Sequence, residues 1–178
     1  MESFEADLLR APLGTLKDQE VVRATGYVEG LVILAWALQE CEFPRHDQKV
    51  DPYAVTDSVW FLSGDADAFL QTAILHGGAK LAACRELLYA VHVRLRDWLR
   101  HRKPKDFTGW IERCWLDELG VDTVPLIAES DLAIDGLPIS TVEPERVQEC
   151  SSILLERQRA ILWLLGDYPR YSQTPVDA

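Results

Sequence analysis

The histidines are the first residues to consider for chemistry, and His92 is the one that falls well inside a helical segment. Tyr89 precedes it by one helical turn, and Arg85, Glu86 and Arg96 are close to it in sequence. An imidazole changes charge near neutral pH, so this group could supply a general base or part of a binding cleft. No serine or cysteine nucleophile is tied to His92 by sequence. A satisfied core or boundary histidine is the more common case, and it is the interpretation we favour.

Glu29 is a second candidate, because it lies just before the apolar run Leu31–Leu38. A carboxylate that enters a core needs a partner or must lose its charge. Arg157 and Arg159 hold the matching position before Ala160–Leu165, so we expect Glu29 to pair with one of them across two central helices. Such a pair would fix the packing register of the helices, or it would form the floor of a polar pocket. The pocket would be lined by Glu29, Tyr89, His92 and Arg157.

Residues 106–149 hold eleven carboxylates and two arginines, a net charge of −9 in a chain whose overall charge is −11. They could form a solvated face over an aromatic core, or a docking surface on which charge speeds the encounter with a basic protein. Acidic groups spread over loops suit docking better than catalysis, which requires a few convergent carboxylates. The carboxylates expected to face a partner are Glu112, Asp117, Glu118, Asp122, Glu129, Asp131 and Asp135.

Residues 94–105, RLRDWLRHRKPK, form a basic segment with the composition of a nucleic-acid-binding patch. The dipole of a helix also favours cations at its C-terminus, by about 0.3–1 kcal/mol each. Acidic segments lie on both sides in sequence, so we expect these cations to be neutralised within the chain. The overall charge of −11 disfavours nucleic acid as a partner.

Several kinds of site are not indicated. There is no phosphate loop, dinucleotide fingerprint, nucleophile elbow or metalloprotease motif, so we expect no catalytic residue and no cofactor. The four histidines lack the spacing of a zinc site, and we expect no metal. They are His46, His76, His92 and His101.

The cysteines and the apolar runs indicate a cytoplasmic protein. The cysteines form no CxxC pair, which is typical of buried free thiols in a reducing compartment. They are Cys41, Cys84, Cys114 and Cys150. The longest apolar run is far shorter than the roughly 20 residues that cross a bilayer. The acidic N-terminus MESFEADLLR does not resemble a signal peptide.

The elements that would position these groups are mainly helices. Apolar spacing, proline and glycine predict helices at 18–40 (capped by Thr15), from Asp51-Pro52, and at 65–76, 79–102, 106–120 and 144–165. The segment LAIDGLPI has apolar residues on both sides of Asp135-Gly136, a strong hairpin signal. The predicted fold class is all-α: a single compact domain over 1–178. It has about six helices and a small β-turn flap near residues 131–140, irregular or two-stranded.

Three segments carry a family resemblance. They are YVEGLVILAWAL, RELLYAVHVRLRDWL, and DLAIDGLPI with LLERQRAILWLLGD and a tail that bears Tyr171-Ser172 and Thr174. In this order they resemble the bacterial domain-of-unknown-function family 4272, over roughly residues 5–177. Gln158 and Val93 replace a histidine and a tryptophan that are common in that family. The resemblance implies an all-helical fold, and it carries no reaction, cofactor or catalytic residue.

Together these features predict a non-enzymatic module that binds a basic protein. One version is an immunity protein that covers the nucleic-acid- or nucleotide-binding cleft of a toxin with the 106–149 surface. The alternative is a small-molecule-binding protein or enzyme with a pocket between the central helices. A third interpretation, a homo-oligomeric structural module, would require an apolar patch around Trp60 or Trp110. The sequence leaves the partner and the oligomeric state open.

Overall fold

The computed structural model of the protein describes residues 3–12, 14–60, 66–112, 119 and 126–176. Its helices are α1 (Ser3–Arg10), α2 (Asp18–Ala37), α3 (Pro52–Ser58), α4 (Ala66–Thr72), α5 (Gly78–His101), α6 (Thr108–Ile111) and α7 (Pro144–Leu164). Three short antiparallel strands are β1 (Ile127–Ala128), β2 (Asp131–Ile134) and β3 (Leu137–Pro138), with β2 in the middle. Short 3₁₀ turns cover Ile139–Thr141 and Tyr171–Gln173. The predicted class is confirmed: the domain is mostly helical with a small β flap.

Helix α7 lies between α2 and α5, and these three helices form the centre of the core. Ile33 on α2, Leu95 on α5 and Leu154 on α7 are completely buried. Burial of apolar surface contributes roughly 25 cal/mol per Å², so this three-helix contact is the main source of stability. As expected from the sequence, the second half of α2 is buried, whereas Val21 and Val22 in its first half are exposed.

The β flap is more ordered than the irregular or two-stranded element that the sequence predicts. Asp135 and Gly136 both have positive φ, 53° and 79°, as the two central residues of a tight hairpin turn require. This turn joins β2 to β3, and β1 adds a third strand on the other edge of β2. All of β2 is buried, so the strand packs into the core instead of lying on the surface.

Helix α4 ends at Thr72, four residues before the predicted end at His76. The backbone beyond it makes tertiary hydrogen bonds instead of helical ones. Gln39 Nε2 donates to the Ile74 carbonyl at 3.1 Å, and the His76 amide donates to the Ala37 carbonyl at 2.8 Å. These bonds connect the segment after α4 to the end of α2, and the sequence pattern contains no sign of them.

The N-terminal region also differs from the prediction. Helix α1 was not expected, and Thr15 does not cap α2 because its hydroxyl donates to the Pro12 carbonyl. The amide of Lys17, which precedes α2, instead donates to the Glu20 carboxylate at 2.8 Å. The helix predicted from residue 106 begins at Thr108, and residues 113–118 and 120 of its predicted length lie outside the described residues.

The described cysteines are free. Cys84 and Cys150 are buried and Cys41 is half-buried, while Cys114 lies outside the described residues. Burial raises the pKa of Cys84 and that of Cys150, the latter to about 11. Both side chains are therefore protonated and unreactive at neutral pH. None of the described helices has the length and apolar character needed to span a bilayer.

Gly30 lets the C-terminal segment pack against α2. A Cβ atom at this position would lie 2.0 Å from the Tyr171 hydroxyl, 3.1 Å from the Cζ atom of that ring and 3.4 Å from the Glu156 carbonyl. A Cβ atom never approaches another atom as closely as 2.0 Å in a relaxed structure. Side chains larger than glycine therefore displace Tyr171 from the contact between α2 and α7.

We expect Gly30→Ala to lower the free energy of unfolding by about 1–3 kcal/mol, as overpacking of a filled site does. Gly26→Ala is the matched control, because its Cβ would meet only Glu156 Cγ at 3.9 Å, an ordinary contact. Alanine in a helix interior is favoured over glycine by about 0.5–1 kcal/mol, so the control should be neutral or stabilised. Urea denaturation of both variants measures the difference, and equal effects would contradict the proposed role of Gly30.

Candidate functional site

The predicted pairing of Glu29 is confirmed, and its partner is Arg157. Arg157 Nη2 and Nε lie 2.6 Å and 3.0 Å from the same Glu29 oxygen, Oε2. Glu29 is 6% exposed and Arg157 is fully buried. Arg159, the other candidate, pairs with Glu156 closer to the surface. The ion pair therefore joins α2 to α7 in the interior of the domain.

The remaining polar atoms of this pair hold the loop between α2 and α3. Arg157 donates to the carbonyls of Arg45 and Gln48, and the Val50 amide donates to Glu29 Oε1 at 3.0 Å. Burial lowers the pKa of Arg157, and the charge of Glu29 opposes that shift. Because the donors and acceptors of the pair are engaged within the chain, it fixes the loop and the helix register. The hypothesis of a polar pocket floor receives no support from this geometry.

Asp47 forms the centre of a second buried network, which the sequence did not indicate. Its side chain is completely buried and accepts two hydrogen bonds from Arg45, at 2.8 Å and 3.1 Å, and one from the Asp135 amide at 2.8 Å. Arg146 donates to the Asp47 carbonyl. Burial raises the pKa of Asp47, but the hydrogen bonds from Arg45 and from the Asp135 amide, together with the neighbouring positive charge, outweigh burial, and the pKa falls below its usual range. This network ties the loop to the β flap and to α7.

His46 belongs to the same loop and is 5% exposed. Its Nε2 lies 2.6 Å from the Ala133 carbonyl oxygen. A carbonyl can only accept, so Nε2 carries the proton. Burial is the main reason that the pKa of His46 is lowered, and the ring is neutral at neutral pH. His46 is therefore a structural link between the loop and β2.

Asp131, which the sequence analysis assigned to a partner-binding surface, is instead buried at 4% exposure. Its two oxygens accept from Arg94 Nε and Nη2 at 2.7 Å and 2.6 Å, a bidentate pair. Arg94 also donates to Asp97 and to the Lys103 carbonyl, and the Lys105 amide donates to Asp131. The expectation of a solvent-facing Asp131 is wrong, because β2 turns its first residue towards α5. The expected internal neutralisation of the basic segment is confirmed for Arg94.

The other acidic positions divide into three groups. Asp135 is exposed but paired with Arg146, whose Nε and Nη2 lie 2.9 Å and 3.0 Å from its oxygens. Glu112 and Glu129 are exposed. The rest lie outside the described residues: Asp117, Glu118 and Asp122. The picture of one open acidic surface from 106 to 149 is therefore wrong at Asp131, Asp135 and Glu149, where the chain's own arginines engage the carboxylates.

The side chains of the alternative pocket do not converge. Arg157 faces α2, whereas its neighbour Gln158 faces α5 and accepts from His92 Nδ1 at 2.6 Å. The body of α7 therefore separates His92 from the Glu29–Arg157 pair. Tyr89 is 47% exposed and lines a shallow groove that leads to the C-terminal segment. A single pocket containing all four residues is not formed.

A different concave site lies between α5 and α7, with a volume of about 280 Å³. We call it the α5/α7 cleft, and its polar lining is His92, Arg96, Arg100, Gln148 and Ser151. Its apolar walls are Leu99 and Leu155. The sequence analysis placed Arg96 near His92 but did not identify the rest. The spacing of His92, Arg96 and Arg100, one per helical turn, was the signal that could have indicated a shared face.

Comparisons of the chain with models of protein families, with curated proteins and with solved structures give no match. The resemblance to family 4272 therefore stays a prediction. In the described ranges, no three His, Cys, Asp or Glu side chains lie close enough together to share a metal ion. The function must accordingly be argued from the geometry of the chain itself.

We expect Glu29→Gln to lower the free energy of unfolding by about 3–5 kcal/mol, because it leaves the buried Arg157 charge without a counterion. Arg159→Gln is the matched control. It breaks a partly exposed pair, with side-chain exposures of 22% and 18%, and should cost about 1 kcal/mol or less. Chemical denaturation monitored by circular dichroism measures both. Similar losses in the two variants would contradict a central role for Glu29.

Stability should fall when the pH is lowered through the range below about 6.5, the usual pKa of histidine. The pKa values of His46 and His92 are lowered in the folded state, mainly by burial. The unfolded chain therefore binds more protons in this range, and stability rises with pH through it. His46→Gln retains a donor for the Ala133 carbonyl and cannot titrate. Its stability difference between about pH 5.5 and about pH 7.5 should be smaller than that of the wild type, and an equal difference would refute this assignment.

Proposed function

We propose that the protein is a non-enzymatic binding module that docks a basic protein partner. The observation that carries this proposal is the net charge of −11. Ion pairs within the chain remove one charge of each sign, so they cannot reduce this excess, and it must face solvent or a partner. A field of this sign raises the association rate of a basic protein and repels nucleic acid.

The exposed carboxylates around α6 are the best-supported contact surface. The Phe107 amide donates to the Ser130 carbonyl at 2.8 Å, so the start of α6 lies beside the turn between β1 and β2. We define the α6 surface as Asp106, Trp110, Glu112 and Glu129, all of which are exposed. Lys105, which precedes it, is paired with Asp97 and does not neutralise it.

In addition to its carboxylates, the α6 surface has an aromatic side chain, Trp110, as an anchor for the partner. It is 37% exposed and packs against Phe107, with ring centroids 5.9 Å apart. Half-exposed tryptophans next to charged residues are typical of interface hot spots, where the ring is buried by the partner and the charges form the rim. The proposed contact therefore combines an aromatic anchor with a ring of carboxylates.

An immunity protein is the concrete version of this proposal. Such a protein would cover the basic nucleic-acid- or nucleotide-binding cleft of a toxin with the α6 surface, in place of the phosphates that the cleft binds. The buried free thiols support a reducing cytoplasm as the site of action. The proposed surface is smaller than the segment 106–149, because Asp131 and Asp135 are engaged within the domain.

The test is affinity capture from the source cell with the wild type and two charge variants, with the captured proteins identified by mass spectrometry. The surface variant is Asp106→Asn/Glu112→Gln/Glu129→Gln, and the control is Asp18→Asn/Glu42→Gln/Asp57→Asn. Both variants remove three exposed carboxylates. We expect a basic protein to be captured by the wild type and the control and to be lost with the surface variant.

Salt and inhibition assays sharpen this test. The affinity of the captured protein should fall steeply as ionic strength rises, because exposed charges are screened. The immunity version further requires that the protein abolish a nuclease or nucleotide-directed activity of the partner. Capture of the same partner by all three proteins, or an affinity that is indifferent to salt, would argue against docking through the α6 surface.

A further inference from the structure

The α5/α7 cleft contains two arginines that the fold does not neutralise. Arg96 and Arg100 make no ion pair or hydrogen bond with any residue that the structure describes. Half of the twelve described arginines lack a described carboxylate partner, and these two are distinguished because they line one cleft together. The two side chains are four residues apart on one helix, so their charges repel each other. The helix dipole favours Arg100, which lies in the last turn of α5, and an anion bound between the two guanidinium groups would offset their repulsion.

Three carboxylates near the cleft along the two helices are engaged elsewhere. Asp97, next to Arg96 in sequence, lies within 3.0 Å of Arg94, His101 and Lys105.

On α7, Glu149 is paired with Lys49 and Arg146, and Glu156 is paired with Arg159. The lining of the cleft therefore contains two cations and no carboxylate, although the whole chain is negative.

The opposite wall offers a hydroxyl group. Ser151 is 6% exposed, lines the cleft and makes no hydrogen bond to another described residue. Its oxygen is not among the fully buried polar atoms of the described residues, so it is accessible from the cleft. The amide of Gln148, one turn earlier on α7, lines the cleft beside it. The cleft therefore has two neutral hydrogen-bond donors in addition to the two guanidinium groups.

His92 completes the floor and has a defined tautomer. The Gln158 oxygen, Oε1, can only accept, so Nδ1 carries the proton of the bond between them. In the neutral ring, Nε2 is then an acceptor. Burial lowers the pKa of His92, and Arg96 lowers it further. The cleft therefore presents several donors and one acceptor, a set that suits an oxyanion with one protonated or hydroxyl-bearing oxygen.

We propose that the α5/α7 cleft binds the phosphate group of a small phosphate monoester or of inorganic phosphate. Arg96 and Arg100 donate to the phosphate oxygens, Ser151 and Gln148 bind the same oxygens from α7, and His92 accepts from a hydroxyl of the ligand. Guanidinium groups are suited to phosphate because they donate two parallel hydrogen bonds. The site is independent of the α6 surface and of the partner proposed for it.

The dimensions of the cleft limit the ligand. A volume of about 280 Å³ lies just below the usual range for drug-sized ligands. It accommodates one phosphate and a small attached group that contacts Leu99 and Leu155. A nucleic acid strand requires a longer positive track, and the overall charge of the chain opposes it. The cleft therefore fits a single terminal phosphate better than a polynucleotide.

Isothermal titration calorimetry of the full chain tests the proposal, with inorganic phosphate and phenyl phosphate as separate ligands. We expect saturable binding of at least one of them with a stoichiometry of one. Tighter binding of phenyl phosphate would identify a monoester site, and tighter binding of inorganic phosphate would identify a free-phosphate site. A single-stranded oligonucleotide without a terminal phosphate should not bind, and preferential binding of this oligonucleotide would overturn the proposal.

The variants separate binding from stability. Arg96→Gln and Arg100→Gln should each weaken phosphate binding about tenfold or more, the effect expected for loss of a charge-assisted contact. Lys103→Gln is the charge-matched control. It removes an exposed cation outside the cleft lining and should leave the dissociation constant unchanged within about twofold. Equal weakening by all three variants would show nonspecific attraction and would refute the site.

Ser151→Ala supplies a readout that a purely structural role would not produce. Because the hydroxyl makes no hydrogen bond to another described residue, its removal should leave thermal stability unchanged while it weakens phosphate binding. In the wild type, amide resonances of residues 96–100 and 148–151 should shift on titration with phosphate. Destabilisation with unchanged affinity, or shifts confined to other residues, would overturn the assignment.

Discussion

The ion pair between Glu29 and Arg157 is the constraint around which the rest of the domain is arranged. Two opposite charges removed from water are tolerated only when their hydrogen-bonding groups are satisfied. The pair meets this requirement by binding the loop that follows α2, through the backbone of Arg45, Gln48 and Val50. The loop, in turn, places His46 and Asp47 where they bind the β flap. One buried pair thus determines the positions of α2, α7 and the connecting loop together.

The same principle explains why the acidic strip is not a uniform surface. Asp131 and Asp135 are withdrawn from it by Arg94 and Arg146, and each pair ties the β flap to a helix. The β flap is short, and its strands alone would be marginal in stability. The ion pairs with Arg94 and Arg146 attach the β flap to α5 and α7. The described carboxylates of this strip that remain for a partner are those that flank α6, Glu129 on the turn beside it, and Glu143 and Glu145 at the start of α7.

Some charged side chains of the domain are paired within the chain and others are not, and both proposals depend on the unpaired ones. Six of the twelve described arginines lie against carboxylates, whereas Arg96 and Arg100, which share one cleft, do not. Unsatisfied charge of either sign costs stability, and proteins retain it mainly where function requires it. A negative surface around α6 and a positive cleft between α5 and α7 can act separately because they use different residues.

The sequence by itself determined the helical class, the hairpin at Asp135-Gly136 and the pairing of Glu29 with an arginine on the last long helix. These features depend on local periodicity, on turn chemistry and on the requirement that a buried charge be paired. It did not determine the end of α4, the engagement of Asp131, the buried network of Asp47 or the α5/α7 cleft. Each of these depends on which faces of distant segments meet, and helical periodicity gives a face but not its neighbour. Only the tertiary structure decided which carboxylates remain open and which arginines remain unpaired.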